Sequence, residues 1–267
     1  PILNGSRESD IVRVSEGLRE GKIDHITIES PLSIQIIHEN IQYSMGLTMR
    51  TPGNDDSLVI GFLYSEGIIE ASTDIQEINS TENEICIVLK KSVEFNHSLH
   101  TRQDLTTSAC GVCGKESLSN LEKLERTKLN NNFQLDSNQV SCNLKSMMSN
   151  QPLFKITGGS HAAIAFNQEG GIIASAEDVG RHNALDKLIG MMLVKELIPA
   201  NEAIIHLSGR ASYELVQKSI RAGFPILASV GASSTMAVEL AREFNLTLIS
   251  FLRTDSMVIH SAPNRIR

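Results

Sequence analysis

The sequence has few of the features that mark membrane, secreted or disulfide-rich proteins. Its 267 residues include no tryptophan and only four cysteines, too few for a secreted disulfide scaffold, which favours the reducing cytosol. No apolar run approaches the roughly 18 residues that cross a bilayer. Residues 1–17 lack the apolar stretch of a secretory signal. We therefore expect a cytoplasmic protein with no membrane segment.

Positive charge is also in short supply. The chain has 24 Lys and Arg against 31 Asp and Glu, a net charge of −7. A chain with this balance lacks the positive field that drives binding to nucleic acid or to anionic membrane surfaces, so neither partner is expected. The hydrophobic fraction of 41% and charged fraction of 21% are ordinary for a globular protein. The length fits one large domain or two smaller ones.

The first hundred residues combine short strand patterns with one helix pattern. Residues 33–38 alternate in polarity, and residues 47–49 and 85–89 are further strand candidates. Apolar side chains from Leu58 to Leu63 recur as on a half-buried helix, and Gly67 supplies its stop. We predict a small, mixed α+β N-terminal domain over residues 1–104.

The rest of the chain alternates helix and strand patterns, which predicts a layered α/β domain over residues 105–267 with at least three parallel strands. A further strand segment is expected to end near Ile156, just before Gly158. The predicted strands cover residues 162–166, 203–207, 226–230 and 246–252, and the predicted helices cover residues 184–197, 213–222 and 236–244.

The most specific motif is the pair Cys110 and Cys113, each followed by glycine in the stretch ACGVCG. Two thiols at this spacing can share a metal, form a disulfide or pass a sulfur atom, and glycines leave the loop exposed. A structural zinc site needs a second ligand pair, which the sequence lacks, so we expect no metal. A dithiol oxidoreductase normally places its motif between a strand and a helix, and neither pattern flanks this pair. A pair buried in the core would not have polar residues before it and glycines beside it. We favour sulfur handling on a nucleophilic arm.

Two further segments could contact an anionic ligand. Gly158 and Gly159, followed by His161, can bring backbone N–H groups close to a ligand, although taken alone they are better explained by a simple hairpin turn. The polar run from Glu177 to Asn183 comes just before the most clearly predicted helix. Arg181 in this run could bind an anion at the N-terminus of that helix. For His182 we favour a hydrogen-bonded structural role over an acid–base role.

Three loops follow the three predicted parallel strands, and ligands of open parallel sheets bind outside the carboxyl ends of their strands. Their Gly, Ser, Thr and Arg residues suit phosphate, although neither a P-loop nor a dinucleotide-binding glycine motif is present. Together the loops predict a phosphorylated or nucleotide-bearing ligand. They contain Ser208, Gly209 and Arg210, then residues 231–234, then residues 253–256.

Several of these motifs together resemble one family. The CGVCG stretch, residues 50–69, TGGSHAA at 157–163, EDVGRHNALDKLIG at 177–190 and residues 208–226 are similar to the formate dehydrogenase accessory sulfurtransferases, FdhD. The resemblance runs from about residue 43 to the C-terminus. It implies a homodimeric sulfur carrier that takes persulfide sulfur from a cysteine desulfurase. The sulfur then goes to the molybdenum cofactor, in its bis(molybdopterin guanine dinucleotide) form, that formate dehydrogenase receives.

The resemblance also implies roles for individual residues and a fold for the C-terminal domain. It assigns the persulfide to Cys110 with Cys113 assisting, and a cytidine-deaminase-like fold to residues 105–267. The deaminase signature itself is missing, because no Glu stands two positions after His161 and the cysteine pair precedes it, so deaminase chemistry is not expected. By resemblance, the segment after the last strand contacts the cofactor, through Phe251, Leu252, Arg253, Thr254, Asp255 and Ser256.

Three functional hypotheses follow from the sequence. The first is the sulfurtransferase, with the cofactor bound at the C-terminal edge by residues that include Ser208, Gly209, Arg210, Gly158, Gly159 and His161. The second is a non-catalytic chaperone that binds the cofactor or the formate dehydrogenase catalytic subunit, in which case both cysteines are dispensable. The third is a zinc-dependent hydrolase of the deaminase type, which metal analysis would test.

Overall fold

The computed structural model describes residues 5–96, 128–129 and 132–267. Cys110 and Cys113 lie outside these residues, as does the predicted boundary between the two domains, so both stay predictions. Within the described part of the chain, no helix is long and apolar enough to cross a membrane.

The N-terminal half forms a two-stranded ribbon and a four-stranded sheet. Strands β1 and β2 pair antiparallel with each other, whereas the sheet has the order β4-β3-β6-β5 with β3 and β6 parallel. The predicted strands at 33–38, 47–49 and 85–89 are confirmed. The bounds are β1 Ser6–Ser15, β2 Leu18–Thr27, β3 Ser30–His38, β4 Ile41–Arg50, β5 Ile75–Ser80 and β6 Glu84–Leu89.

The C-terminal half forms a six-stranded sheet in the order β12-β11-β10-β9-β7-β8. Strands β9, β10 and β11 are parallel, as predicted, while β7, β8 and β12 run antiparallel to their neighbours. Strand β8 was not expected. The bounds are β7 His161–Phe166, β8 Ile172–Asp178, β9 Ile204–Leu207, β10 Ile226–Ser229, β11 Thr247–Ser250 and β12 Val258–Ile259.

Six α-helices complete the described chain, together with 3₁₀ turns at Ser72–Asp74 and Pro263–Arg265. Four of the helices were predicted, at 58–63, 184–197, 213–222 and 236–244. The bounds are α1 Asp55–Ser65, α2 Ser137–Ser149, α3 Pro152–Thr157, α4 Arg181–Val194, α5 Tyr213–Arg221 and α6 Thr235–Glu243.

The segment before Gly158 is a helix, so the expected strand ending near Ile156 was wrong. Pro152 suits the first turn of α3 because its fixed φ is helical and its missing N–H would be unpaired there. Gly158 ends α3 at a φ of 63°, a left-handed conformation that favours glycine. Gly158 and Gly159 therefore join a helix to a strand and are not a hairpin turn.

The six-stranded sheet lies between two helical layers. On one face of the sheet, side chains such as Ala163, Ile205 and Leu227 pack against α4, α5 and α6. The opposite face, which includes Ile164 and Ile204, packs against α2. This layering confirms the mixed α/β class; the specific cytidine-deaminase arrangement stays a prediction.

Helix α1 joins the two sheets through a close contact with α4. A Cβ added at Gly61 would lie 1.9 Å from the carbonyl oxygen of Asp186, and one added at Gly190 would lie 1.9 Å from that of Ser57. One hydrophobic cluster therefore runs from Leu32 in β3 to the last parallel strand. The predicted division at residue 104 would separate two parts that share this cluster.

Candidate functional site

Five strand ends meet at one edge of the six-stranded sheet. Strands β9, β10 and β11 are parallel, so their carboxyl ends share an edge. Strand β7 is antiparallel to β9, and β8 is antiparallel to β7. The amino end of β7, with His161, and the carboxyl end of β8, with Asp178, consequently lie at that same edge. The fold thus brings together segments that are up to about ninety residues apart in the sequence.

Main-chain hydrogen bonds connect the first two predicted loops to each other, and the second of them to the residue that follows β11, at this edge. The Gly231 N–H donates to the Gly209 carbonyl at 2.9 Å, and the Phe251 N–H donates to the Gly231 carbonyl at 3.0 Å. A Cβ at Gly231 would lie 2.8 Å from both the Gly209 oxygen and the Arg210 Cα. Glycine at this position therefore allows the loops to approach each other closely.

A cavity of about 240 Å³ opens between the first two of these loops and the start of α4. Arg181 is the first residue of α4, while Ser212 and Ser234 are the N-cap residues of α5 and α6. Three positive helix ends and two guanidinium groups consequently face one space, whose described lining contains no carboxylate. Such an arrangement favours an anion. The lining residues are Arg181, Arg210, Ala211, Ser212, Ala232, Ser233 and Ser234.

His161 and the first loop lie together beside this cavity. The Ser208 hydroxyl lies 3.5 Å from His161 Nδ1 and accepts a hydrogen bond from the Ala162 N–H at 2.9 Å. A Cβ at Gly209 would lie 3.2 Å from the same Nδ1. Burial lowers the pKa of His161, and the neighbouring Arg181 guanidinium lowers it further. The shift favours the neutral imidazole, so the positive charge of the site comes from the arginines.

His182 sits at the same helix end in a hydrogen-bonded position. Its Nε2 lies 3.3 Å from the Ser212 hydroxyl and 3.5 Å from a carboxylate oxygen of Glu214. Both of these contacts are made by the same ring nitrogen. The contacts support the structural role that we favoured for this histidine.

The segment from Phe251 to Ser256 adjoins the cavity without lining it. Phe251 is exposed and has a φ of 50°, which is unusual for a bulky residue. The Leu252 side chain is fully buried, so this residue could meet a ligand only through its main chain. Arg253 Nη1 donates to the Val230 and Leu252 carbonyls, both at 2.8 Å. Thr254, Asp255 and Ser256 are exposed.

Gly158 and Gly159 lie away from the cavity. A Cβ at Gly159 would lie 2.6 Å from the Thr27 hydroxyl oxygen, so this glycine packs against the end of β2. The structure thus brings His161, Ser208, Gly209 and Arg210 together. It does not bring the glycine pair to the same site.

A buried ion pair fixes the start of α4, and sequence reasoning missed it. Asp178 is fully buried, and Lys187 Nζ lies 2.8 Å from its carboxylate. The Gly180 N–H and the Asn183 side-chain amide also donate to this carboxylate, at 2.8 and 3.1 Å. Burial raises the pKa of Asp178, an effect that Lys187 opposes. The run EDVGRHNALDK carried the signal, since it contains Asp178 at the end of β8 and Lys187 on a helix whose buried residues are mostly apolar.

The described residues also contain two single cysteines. Cys142 is exposed on α2, and Cys86 lies on β6, where burial raises the pKa of its thiol. No group of three His, Cys, Asp or Glu side chains within the described ranges could hold a metal ion.

Comparisons with known proteins agree over nearly the whole chain. A model of the FdhD/NarQ family matches residues 27–267. Proteins named sulfur carrier protein FdhD are 40% identical in Picrophilus torridus, over 91% of this chain and 92% of the relative, and 38% identical in Sulfolobus acidocaldarius, over 97% and 98%. A crystal structure from Desulfotalea psychrophila, described as a candidate formate dehydrogenase accessory protein, has a TM-score of 0.79 at 25% identity. The match covers 98% of this chain and all of that one.

Proposed function

The chain belongs to the FdhD/NarQ family of sulfur carrier proteins, and on that basis we propose that it carries persulfide sulfur on Cys110. A cysteine desulfurase supplies the sulfur. The acceptor is the molybdenum cofactor that the formate dehydrogenase catalytic subunit then receives. The observation that carries this proposal is the CGVCG motif in a chain whose relatives at 35–40% identity are named sulfur carriers.

The transfer itself needs only thiol chemistry. The Cys110 thiolate attacks the outer sulfur of the donor's persulfide, a new S–S bond forms on Cys110, and the donor cysteine leaves as a thiolate. In the release step, the Cys113 thiolate attacks the inner sulfur of the Cys110 persulfide. The outer sulfur leaves with two electrons as sulfide, and the two cysteines are left as a disulfide. A cellular dithiol then reduces that disulfide for the next round.

The cavity between Arg181 and Arg210 suits the phosphates of the cofactor's guanine dinucleotide. Guanidinium groups pair with phosphate through two parallel hydrogen bonds, and helix N-termini add backbone donors. Exposed Phe251, held at the same edge by the Gly231 carbonyl, offers a flat surface for the guanine base. We assign the phosphates to the cavity and the base to the Phe251 side of the edge.

The sulfur-carrying step can be tested by intact mass measurement. The full-length protein is incubated with a cysteine desulfurase and cysteine, and its mass is measured with and without dithiothreitol. We expect a reductant-sensitive gain of one or two sulfur atoms that Cys110→Ser loses. Cys142→Ser is the matched control because it removes an exposed thiol elsewhere, on α2.

The same variants separate the carrier from the alternative, a non-catalytic chaperone for the cofactor. In cells lacking the native protein, a carrier with Cys110→Ser fails to activate formate dehydrogenase. A chaperone tolerates loss of both cysteines but not loss of Arg210. Full activation by Cys110→Ser together with no sulfur gain in wild type would reject the carrier.

A further inference from the structure

Thr51 bonds through its N–H and hydroxyl to the segment that begins α4, and through its carbonyl to Lys187 further along that helix. Its N–H donates to Asp178 Oδ2 at 3.0 Å, and its hydroxyl accepts from the Val179 N–H at 3.0 Å. Its carbonyl accepts from Lys187 Nζ at 2.7 Å. Thr51 is 3% exposed, so no water competes for these contacts. It lies between β4 and α1, in the other half of the chain.

The segment that Thr51 holds carries an arginine of the cavity. Val179, whose N–H the Thr51 hydroxyl accepts, stands two positions before Arg181. Gly180, the N-cap of α4, has no side chain with which to fix the helix start. The geometry of this first turn is therefore held by Asp178, by Thr51 and by the side-chain amide of Asn183, which also donates to the Met49 carbonyl at 2.8 Å.

From these contacts we infer that Thr51 is a positioning residue for Arg181, through which the N-terminal half controls anion binding at the C-terminal edge. Thr51 does not line the cavity. It acts by holding the main chain of residues 178–181, so that the guanidinium reaches the cavity beside Arg210. A guanidinium fixed in advance loses less conformational entropy when an anion binds. The inference rests on the proposed use of this cavity for a phosphate-bearing ligand.

Matched substitutions separate positioning from mere stability. Thr51→Val keeps the shape but removes the hydroxyl, whereas Thr51→Ser restores it. Thr247→Val is the control for losing a buried threonine hydroxyl, since Thr247 is fully buried at the opposite edge of the sheet, where its hydroxyl donates to the Ala262 carbonyl at 2.7 Å. Binding of inorganic pyrophosphate to each full-length variant is measured by calorimetry.

We expect Thr51→Val to weaken pyrophosphate binding by about threefold to tenfold, the range of one net hydrogen bond. Thr51→Ser and Thr247→Val should bind as wild type. In an Arg181→Ala background, Thr51→Val should cause no further loss, because the residue through which it acts is gone. Hydrogen exchange of the Val179 amide should accelerate in Thr51→Val but not in Thr51→Ser.

Any different result would contradict one step of this inference. Thr51 does not position Arg181 if Thr51→Val binds pyrophosphate as wild type does. The same conclusion holds if Thr51→Val weakens binding by the same factor in the Arg181→Ala background as in wild type. If the Val179 amide exchanges at an unchanged rate, the contact does not hold the helix start. If wild-type protein does not bind pyrophosphate at all, the cavity's phosphate assignment falls and this inference falls with it. The sulfur-carrying proposal is judged separately, by the mass measurement.

Discussion

The α1–α4 contact makes a quantitative prediction for Gly190→Ala. An alanine Cβ would lie 1.9 Å from the Ser57 carbonyl oxygen, 2.7 Å from its carbon and 2.9 Å from the Gly61 nitrogen. All three neighbours are main-chain atoms of α1, so no side chain can rotate away. The two helices must separate, which disturbs the core that they share.

Two opposing effects set the magnitude. Alanine is a better helix former than glycine by about 1 kcal/mol, which alone would stabilise α4. Overpacking of a core typically costs about 1–3 kcal/mol, and a clash between two backbones belongs at or above the upper end. The net loss is therefore at least about 2 kcal/mol. For a chain of this size, that lowers the melting temperature by about 4–8 °C.

Thermal unfolding followed by circular dichroism at 222 nm checks this prediction. Gly21→Ala in β2 is the control, because a Cβ there meets nothing within 4 Å. We expect the control to melt within about 2 °C of wild type, the range of an exposed substitution. An unchanged or raised melting temperature for Gly190→Ala would mean that helix propensity outweighs the clash, and the close contact would be refuted.

Two further predictions concern the site and the sheet. Arg210→Ala should weaken pyrophosphate binding by at least about tenfold, as expected for a charge-assisted contact, whereas Arg242→Ala on the exposed side of α6 should not; equal effects would contradict the cavity assignment. Burial lowers the pKa of His206 to about 4 from near 6.5, while the Val140 carbonyl opposes the shift. The unfolded chain therefore binds more protons between these values, and the stability contributed by neutral His206 is lost as pH falls from about 6.5 to 4. Urea unfolding across this range should be less pH-dependent in His206→Phe, and an equal slope would place the titration elsewhere.

The sequence predicted the parallel part of the C-terminal sheet because its signals are local. Apolar runs such as 226–229 alternate with amphipathic helices, and Ser234 caps α6 by accepting from the Ala237 N–H. The gathering of Ser208 and Arg210 at one edge followed from the geometry of parallel strands. Those elements needed no knowledge of distant partners.

The elements that were missed or wrong depend on distant contacts or weak patterns. Helix α2 lies in a polar, asparagine-rich stretch, and its buried face has only three apolar side chains, Val140, Leu144 and Met147, beside the buried Asn143. Glycines 158 and 159 suggested a ligand, whereas their position follows from the end of α3. Thr51 contacts Asp178 and Val179, which are 127 and 128 positions later in the chain. Contacts between such distant residues produce no periodic pattern in a single sequence.

Helix α1 also constrains the order in which the chain can acquire its structure during synthesis. Residues 58–65 are all buried, largely against α4, and Ser65 contacts Asp186, which is 121 residues later in the chain. At about 5–20 residues per second, α1 waits roughly 6–24 s before its partner is made. During that interval the side of α1 that packs on α4 stays exposed, although the four-stranded sheet can already cover its other side. A chain whose synthesis stops before α4 is therefore suited to capture by chaperones. Any fragment that ends before residue 181 exposes the same apolar surface.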